Sequence, residues 1–379
     1  MGDILSIGGE PVFDDRIVKI ESHTYNPYAN ITFGYSDEIR IPIQQQDLYT
    51  LPCESFLYVE GRLHAKNNPP PASSGESGKP ASASKEPSVS STPAWLMNNC
   101  VAFMFEEIRY ELDGVEIDRN RNVRITSIKN YVSLTAERGF CEEYRRVVIN
   151  ARHELILIRA RNDNNCLISR EEFEPRVELA KIQWRVPHVV LNDVNKLSLL
   201  RTLDSGRYLS ALFRSWDLYE FPLLQSTTKH SWAVKAATQL EKPRYVIFAL
   251  QTGRKNILSQ NASRFDACNL TNVKLYLNSD FHPYDDMNLD FDKNKIAVLY
   301  DAYARFRRTY YGSASDETLL TINKFLHCGP LVVIDCSRQN EAVKSATVDV
   351  RLEFDCKDNV PSNTTAYCNP LTNVVRKIL

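Results

Sequence analysis

Residues 105–119 read FEEIRYELDGVEIDR. Ile108, Tyr110 and Leu112 alternate with Arg109 and Glu111, and Val115 and Ile117 alternate with Glu116 and Asp118. A period of two puts each apolar set on one face of a pleated strand. Asp113-Gly114 between the runs accepts positive φ at both turn positions, so the stretch predicts a two-residue β-hairpin. Downstream come a helical pattern at 124–134 (Ile125, Ile128, Tyr131, Val132), the run ELILIRARND (154–163) with its polar end, and VELAKIQWRV (177–186). The same order recurs in the second half: NVKLYLNSDFHPYD (272–285), a helical pattern at 293–311 (Ile296, Leu299, Tyr300, Tyr303, Phe306), PLVVIDCSRQN (330–340) and VDVRLEFDC (348–356). A repeat of this length is a domain, not a solenoid unit. It predicts two copies of one β-sandwich unit joined near 192–206, with domains 1–195 and 196–379.

Other apolar runs bounded by turn residues fit half-buried strands. They are RIVKIESHTY (16–25), EIRIPI (38–43), SFLYVEGRL (55–63), YLSALFRSW (208–216), SWAVKAA (231–237), RYVIFALQTG (244–253) and LLTINKFL (319–326). Many short strands and few helices define an all-β chain of the sandwich or barrel class. Residues 66–94 are rich in Pro, Ser, Gly and Lys and nearly devoid of large apolar side chains. Such a segment cannot offset its ordering entropy by burial, and it predicts a flexible loop interrupting the first unit.

Of the 379 residues 43% are hydrophobic and 25% charged, ordinary for a globular chain with a sizeable core. Lys+Arg number 46 against 47 Asp+Glu, a net charge of −1 that gives no global support for gripping nucleic acid. No apolar run approaches the ~20 residues of a membrane-spanning helix, and MGDILSIGGEPVFDDR lacks a signal-peptide layout. Synthesis without secretion is therefore expected. The nine scattered cysteines then read as free thiols, and the sequons at Asn30, Asn261, Asn269 and Asn363 as unused.

Longer strings carry a family likeness. DEIRIPIQQQDLYTLPCESFLYVEGRL (37–63), IRYELDGVEIDRNRNV (108–123), VVINARHELILIRARNDNNCL (147–167) and nearly all of 177–358 resemble the double jelly-roll major capsid proteins of Polinton/Maverick and adintovirus-like elements. VPHVVLNDVNKLSLL (186–200), TTKHSWAVKAATQLEKPRYVIFALQTGRKN (227–256) and FHPYDDMNLDFDKNKIAVLYDAYARFRRTYYG (281–312) are the most distinctive. The resemblance implies two tandem jelly-roll β-sandwiches with a short helix in each. It also implies homotrimers forming pseudo-hexameric capsomers of an icosahedral shell, penton and minor capsid proteins as further partners, and nucleic acid only as packaged genome. The expected location is the virion, with the host cytoplasm or nucleus before assembly. No catalytic residue and no cofactor are implied.

Two departures suggest a truncated or endogenised copy. The first half shows no counterpart of LLTINKFLHCG (319–329), taken as a strand, and TTAYC (364–368) runs straight into NPLTNVVRKIL, where relatives are expected to have a further strand. Lost strands would expose sheet edges. The alternative function is a host-exapted jelly-roll binding module that builds no shell. An enzyme on the same scaffold, such as a cupin, needs a clustered His/Glu metal set that the sequence does not show.

Candidate sites are few. Arg305, Arg307, Arg308, Tyr310 and Tyr311, beside Phe306, form a basic-aromatic cluster that predicts a subunit interface or genome contact. The bland alternative is a solvated helix face with aromatic anchors in the core. Met1-Gly2 with Ser6 fits the myristoylation pattern, making Gly2 a lipidation candidate. Asp290, Asp292 and Asn294 resemble the start of a calcium loop, but Lys295 replaces the required Gly, and Asp292 reads better as a helix cap. Cys328 and His327, adjacent on an expected strand, would point to opposite faces and so form no dyad.

Overall fold

The structure, a computed structural model, describes residues 16–28, 32–44, 49–67, 94–121, 140–170, 173–205, 209–236, 243–311, 320–338 and 348–378. The expected helix at 124–134, Gly2 and most of the 66–94 segment lie outside these residues.

The first half supplies β1 (Ile17–Tyr25), β2 (Glu38–Ile43), β3 (Tyr49–Thr50), β4 (Phe56–Asn67), β5 (Ala94–Leu96), β6 (Phe105–Leu112), β7 (Val115–Arg121), β8 (Val148–Ile149), β9 (His153–Arg159), β10 (Leu167–Ser169) and β11 (Phe173–Leu191). Short helices α1 (Cys100–Phe103) and α2 (Phe140–Glu143) accompany them. One sheet runs β1-β11-β3-β8, with β4 also on β11, and the other runs β2-β9-β6-β7. A single 3-10 turn at Pro52–Glu54 separates β3 from β4, and both pair β11, so together they act as one broken strand. β5 and β10 form a separate two-stranded ribbon.

Helix α3 (Asp193–Asp204) leads into the second half. There lie β12 (Leu209–Trp216), β13 (Tyr219–Phe221), β14 (Lys229–Ala236), β15 (Tyr245–Thr252), β16 (Leu270–Leu277), β17 (Asp280–His282), α4 (Ala297–Tyr311), α5 (Ile322–Cys328), β18 (Val332–Asp335), β19 (Asp349–Cys356) and β20 (Thr364–Ile378). The sheets run β12-β20-β15-β18, with β13 also on β20, and β14-β19-β16-β17.

With the broken strands counted once and the ribbon set aside, both halves share one wiring. The first strand pairs the last, the last pairs the third, and the third pairs the sixth. In the facing sheet the second pairs the seventh, the seventh the fourth, and the fourth the fifth. All pairings are antiparallel. This is the strand order of a jelly roll, made twice.

Local sequence explains the layers. In β2, Ile39, Ile41 and Ile43 are fully buried while Glu38 and Arg40 face solvent. The β6–β7 turn has Asp113 at φ 51° and Gly114 at φ 78°, the geometry of a type I′ hairpin. β15 is buried on both faces because Leu299, Tyr303, Phe306 and Tyr310 of α4 and Phe325 of α5 join its core cluster. Burying each such ring or branched chain contributes about 1.5–3 kcal/mol. In the first roll Trp184 is fully buried, with Tyr110 edge-on at 6.2 Å.

Three expectations are corrected. Residues 320–326, expected within a strand, are not one: they enter α5, capped by Thr321, whose hydroxyl accepts from the Lys324 amide, with Phe325 buried beneath. The junction near 192–206 also carries a 12-residue helix that the sequence pattern did not mark, α3, started by Asn192, whose side chain accepts from the Asn195 amide. Helix α4 begins at Ala297, not near Lys293, because Asp290 and Lys295 exchange backbone hydrogen bonds and Asn294 sits at φ 53°. Asp292 therefore caps nothing and instead pairs Lys357 at 2.5 Å. Lastly, 364–378 is a single 15-residue strand between β12 and β15, and β8 holds the position that β18 holds in the second roll. All eight strand positions are thus filled in both rolls, and neither inferred gap is a missing strand.

Candidate assembly surfaces

The basic-aromatic cluster divides between surface and core. Tyr310 is 5% exposed; its hydroxyl accepts from Trp216 Nε1 (3.3 Å), and the Arg214 guanidinium lies 4.2 Å from its ring centre. Tyr310 is a core anchor tying α4 to β12, which corrects its reading as a contact residue. Arg305 and Arg308 are exposed, and Arg305 pairs Asp301 one turn earlier at 2.8 Å. Arg307 and Tyr311 belong to the same helix. Sequence spacing could have separated these roles, since Tyr303, Phe306 and Tyr310 recur at i, i+3 and i+7 on the buried face. Cys328 and His327 are consecutive on α5 rather than on a strand, which replaces the strand argument against their pairing.

Two surfaces that the sequence did not single out are more exposed. On the outer face of the β4–β11 pair, Phe56 and Tyr58 stand beside Lys181 and Arg185. On the second roll, β17 and the residues after it present Phe281 and Tyr284 among Asp280, Asp285 and Asp286. Exposed aromatics flanked by charge are typical of interface anchors.

Buried polar groups fix the frame that carries these surfaces. Arg159 and Asp163 form an ion pair with side chains 1% and 2% exposed. Arg159 also donates to the Met104 carbonyl (2.7 Å), while Asp163 accepts from the Tyr35 hydroxyl (2.9 Å) and the Val177 amide (2.8 Å). This knot joins the end of β9 to β11. His153 bridges the two sheets of the first roll, meeting the Tyr110 hydroxyl at 2.6 Å through Nδ1 and the Thr50 hydroxyl at 2.9 Å through Nε2. Burial pulls its pKa down to about 3, so the imidazole is neutral and takes one hydroxyl as donor and one as acceptor.

The rolls meet through specific contacts. Phe213 of β12 packs edge-on against Phe140 of α2 at 5.0 Å. Asn165 and Asn256 exchange hydrogen bonds: Asn165 Nδ2 donates to Asn256 Oδ1 (2.7 Å) and the Asn256 amide donates to Asn165 Oδ1 (2.9 Å). Ser215 of β12 donates to Asp118 of β7 at 3.2 Å. Burial pushes the Asp118 carboxyl up to about 6, against hydrogen bonds from the Phe140 amide and Ser215 that favour the ionised form.

Among the described residues, no three His, Cys, Asp or Glu side chains gather as a metal site, and no helix is long and apolar enough to cross a membrane. Burial raises the thiols of Cys166, Cys336, Cys356 and Cys368, which disfavours the nucleophilic thiolate.

The fold has solved counterparts. The chain is similar to the Sputnik virophage structure determined by cryo-EM, with TM-score 0.58 and 8% identity over 99% of this chain and 90% of that one. PBCV-1 VP54, fitted into a reconstruction of the Sputnik virophage, matches with TM-score 0.54 and 10% identity over 98% and 97%. The Faustovirus major capsid protein matches with TM-score 0.53 and 8% identity over 98% and 93%. No curated protein matches the chain by sequence. At these identities the likeness establishes the fold. The family model for the double jelly roll-like domain matches residues 94–139 and 137–375. Two rolls of one wiring and a model spanning most of the sequence lead to the same place: the chain belongs to the double jelly roll-like domain family.

Proposed function

We propose that this chain is a major capsid protein, a structural subunit without catalysis, that trimerises into pseudo-hexameric capsomers of an icosahedral shell. The observation that carries the proposal is the identical strand order of the two rolls. A subunit with two like-wired units yields six similar units when three copies close a ring, and identical chains favour closed symmetric contacts. The Faustovirus protein, a major capsid protein, has the same fold and nearly the same span, which supports the reading. The division at 195/196, within α3, separates the strands of the two rolls and is the proposed domain boundary. The strings at 37–63, 108–123, 147–167 and 177–358 support an origin in Polinton/Maverick or adintovirus-like elements, with the gene viral or endogenised. The proposed location is the virion, after synthesis in the host cytoplasm or nucleus. The partners are other copies of the chain, penton and minor capsid proteins, and the packaged genome.

Size-exclusion chromatography with light scattering on the purified full chain tests this. The expected mass is that of three chains of 43.4 kDa. A folded chain that stays monomeric at every concentration would contradict the proposal and favour a binding module that builds no shell.

A further inference from the structure

Two surfaces present exposed aromatic rings beside charges of opposite sign, Lys181 and Arg185 on one and Asp280 and Asp285 on the other. On the first roll, Phe56 is 41% and Tyr58 36% exposed. The Arg185 guanidinium lies 5.0 Å from the Tyr58 ring centre and 5.7 Å from that of Phe56, and the Lys181 ammonium lies 5.8 Å from Tyr58. Among the described residues neither cation has a carboxylate partner, and Arg185 Nε has no hydrogen-bond acceptor. On the second roll, Phe281 and Tyr284 stack at 5.8 Å, and Tyr284 is 82% exposed. Asp280 and Asp285 are exposed and have no ion pair among the described residues. Their segment is held in place: Lys274 pairs Asp286 (2.9 Å), donates to the Tyr284 carbonyl (2.9 Å) and lies 4.9 Å from the Phe281 ring centre, while Asn272 holds Asp286 at 3.0 Å.

We infer that the Phe56/Tyr58/Lys181/Arg185 face of one copy docks the Asp280–Asp286 segment of a second copy of this chain. The inference rests on the self-assembly reading above and names the surfaces that carry it. Each side offers preorganised aromatic rings and unpaired charge, and the signs are complementary. Like-with-like docking would set Arg185 against Arg185, so the contact is heterologous. A heterologous contact repeats from copy to copy and closes a ring when its rotation allows. Within one chain the two surfaces sit on different rolls, and no described hydrogen bond, ion pair or ring contact joins them.

The test is charge reversal in the full chain, read by sedimentation velocity. Lys181→Glu with Arg185→Glu, and separately Asp280→Lys with Asp285→Lys, should each raise the dissociation constant about tenfold or more, while all four together recover to within about threefold of wild type. Tyr284→Ser, at a site too exposed to support the core, should weaken assembly in the same direction even if a reversed pair fails to fold. A reversed pair that folds and assembles like wild type, or a four-site variant no better than its parents, would overturn the inference. So would loss of DNA retention in Lys181→Glu/Arg185→Glu with unchanged assembly, which would assign that face to nucleic acid. A wild-type oligomer indifferent to these changes overturns the docking alone, whereas a monomeric wild type overturns the docking and the capsid reading together.

Discussion

Single residues hold this fold at points where no substitute fits. At Gly61 on β4, a Cβ would lie 2.6 Å from the Glu178 carbonyl oxygen of β11, a backbone atom that cannot swing aside. Gly61→Ala should cost about 1–3 kcal/mol, the range for overpacking, read as a lower denaturant midpoint with unchanged slope. Asp163→Ala leaves Arg159 charged and buried without its partner and should cost about 3–5 kcal/mol. Asp118 works through pH. Its carboxyl titrates near 6 in the fold against 3.8 when free, and nearby Asp217 adds to the rise. The protonated form is thus favoured by folding: the contribution is full below pH 3.8 and is lost as pH rises through 6. Two pKa units correspond to about 3 kcal/mol. Asp118→Asn should therefore match wild type near pH 4 and melt higher at pH 7.5. Neither Gly61 nor Asp118 is marked in the sequence, because a close backbone approach and an inter-roll hydrogen bond depend on partners more than ninety residues away.

At the scale of elements, strands were legible and helices less so. The alternation in 105–119 and its Asp-Gly turn give β6 and β7 directly, since the period of two and the turn chemistry are local. Residues 319–329 misled because LLTINKFL carries apolar residues at spacings that fit a short strand as well as one helical turn. Thr321 as cap and Gly329 just past the end were the signals that favoured a helix. Helix α3 was hidden for another reason: Val194 and Leu197 are 76% and 56% exposed, so its apolar pattern marks no buried stripe. Among the candidate contact residues, the i, i+3, i+7 recurrence of Tyr303, Phe306 and Tyr310 marks Tyr310 for the buried face, but spacing does not say that Trp216 and Arg214 of β12 are what it meets. Phe325 is fully buried and touches Tyr300 and Tyr303 of α4. Phe325→Ala should cost about 3–5 kcal/mol in a thermal or chemical melt and loosen both helices over β15.

At the scale of the molecule, duplication was readable as an order of elements before any residue identity matched. The two rolls share wiring with little shared sequence, because an antiparallel sandwich asks for alternation and turns rather than particular side chains. The docking surfaces were not readable in this way. Phe56 and Tyr58 lie on a strand more than a hundred residues from Arg185, and only the β4–β11 register brings them together. Cryo-electron microscopy of the purified full chain tests the central claim most directly. The capsid account predicts three-fold particles with six similar lobes, two from each copy. Particles of a single two-lobed chain, or rings whose symmetry is not three-fold, would contradict it.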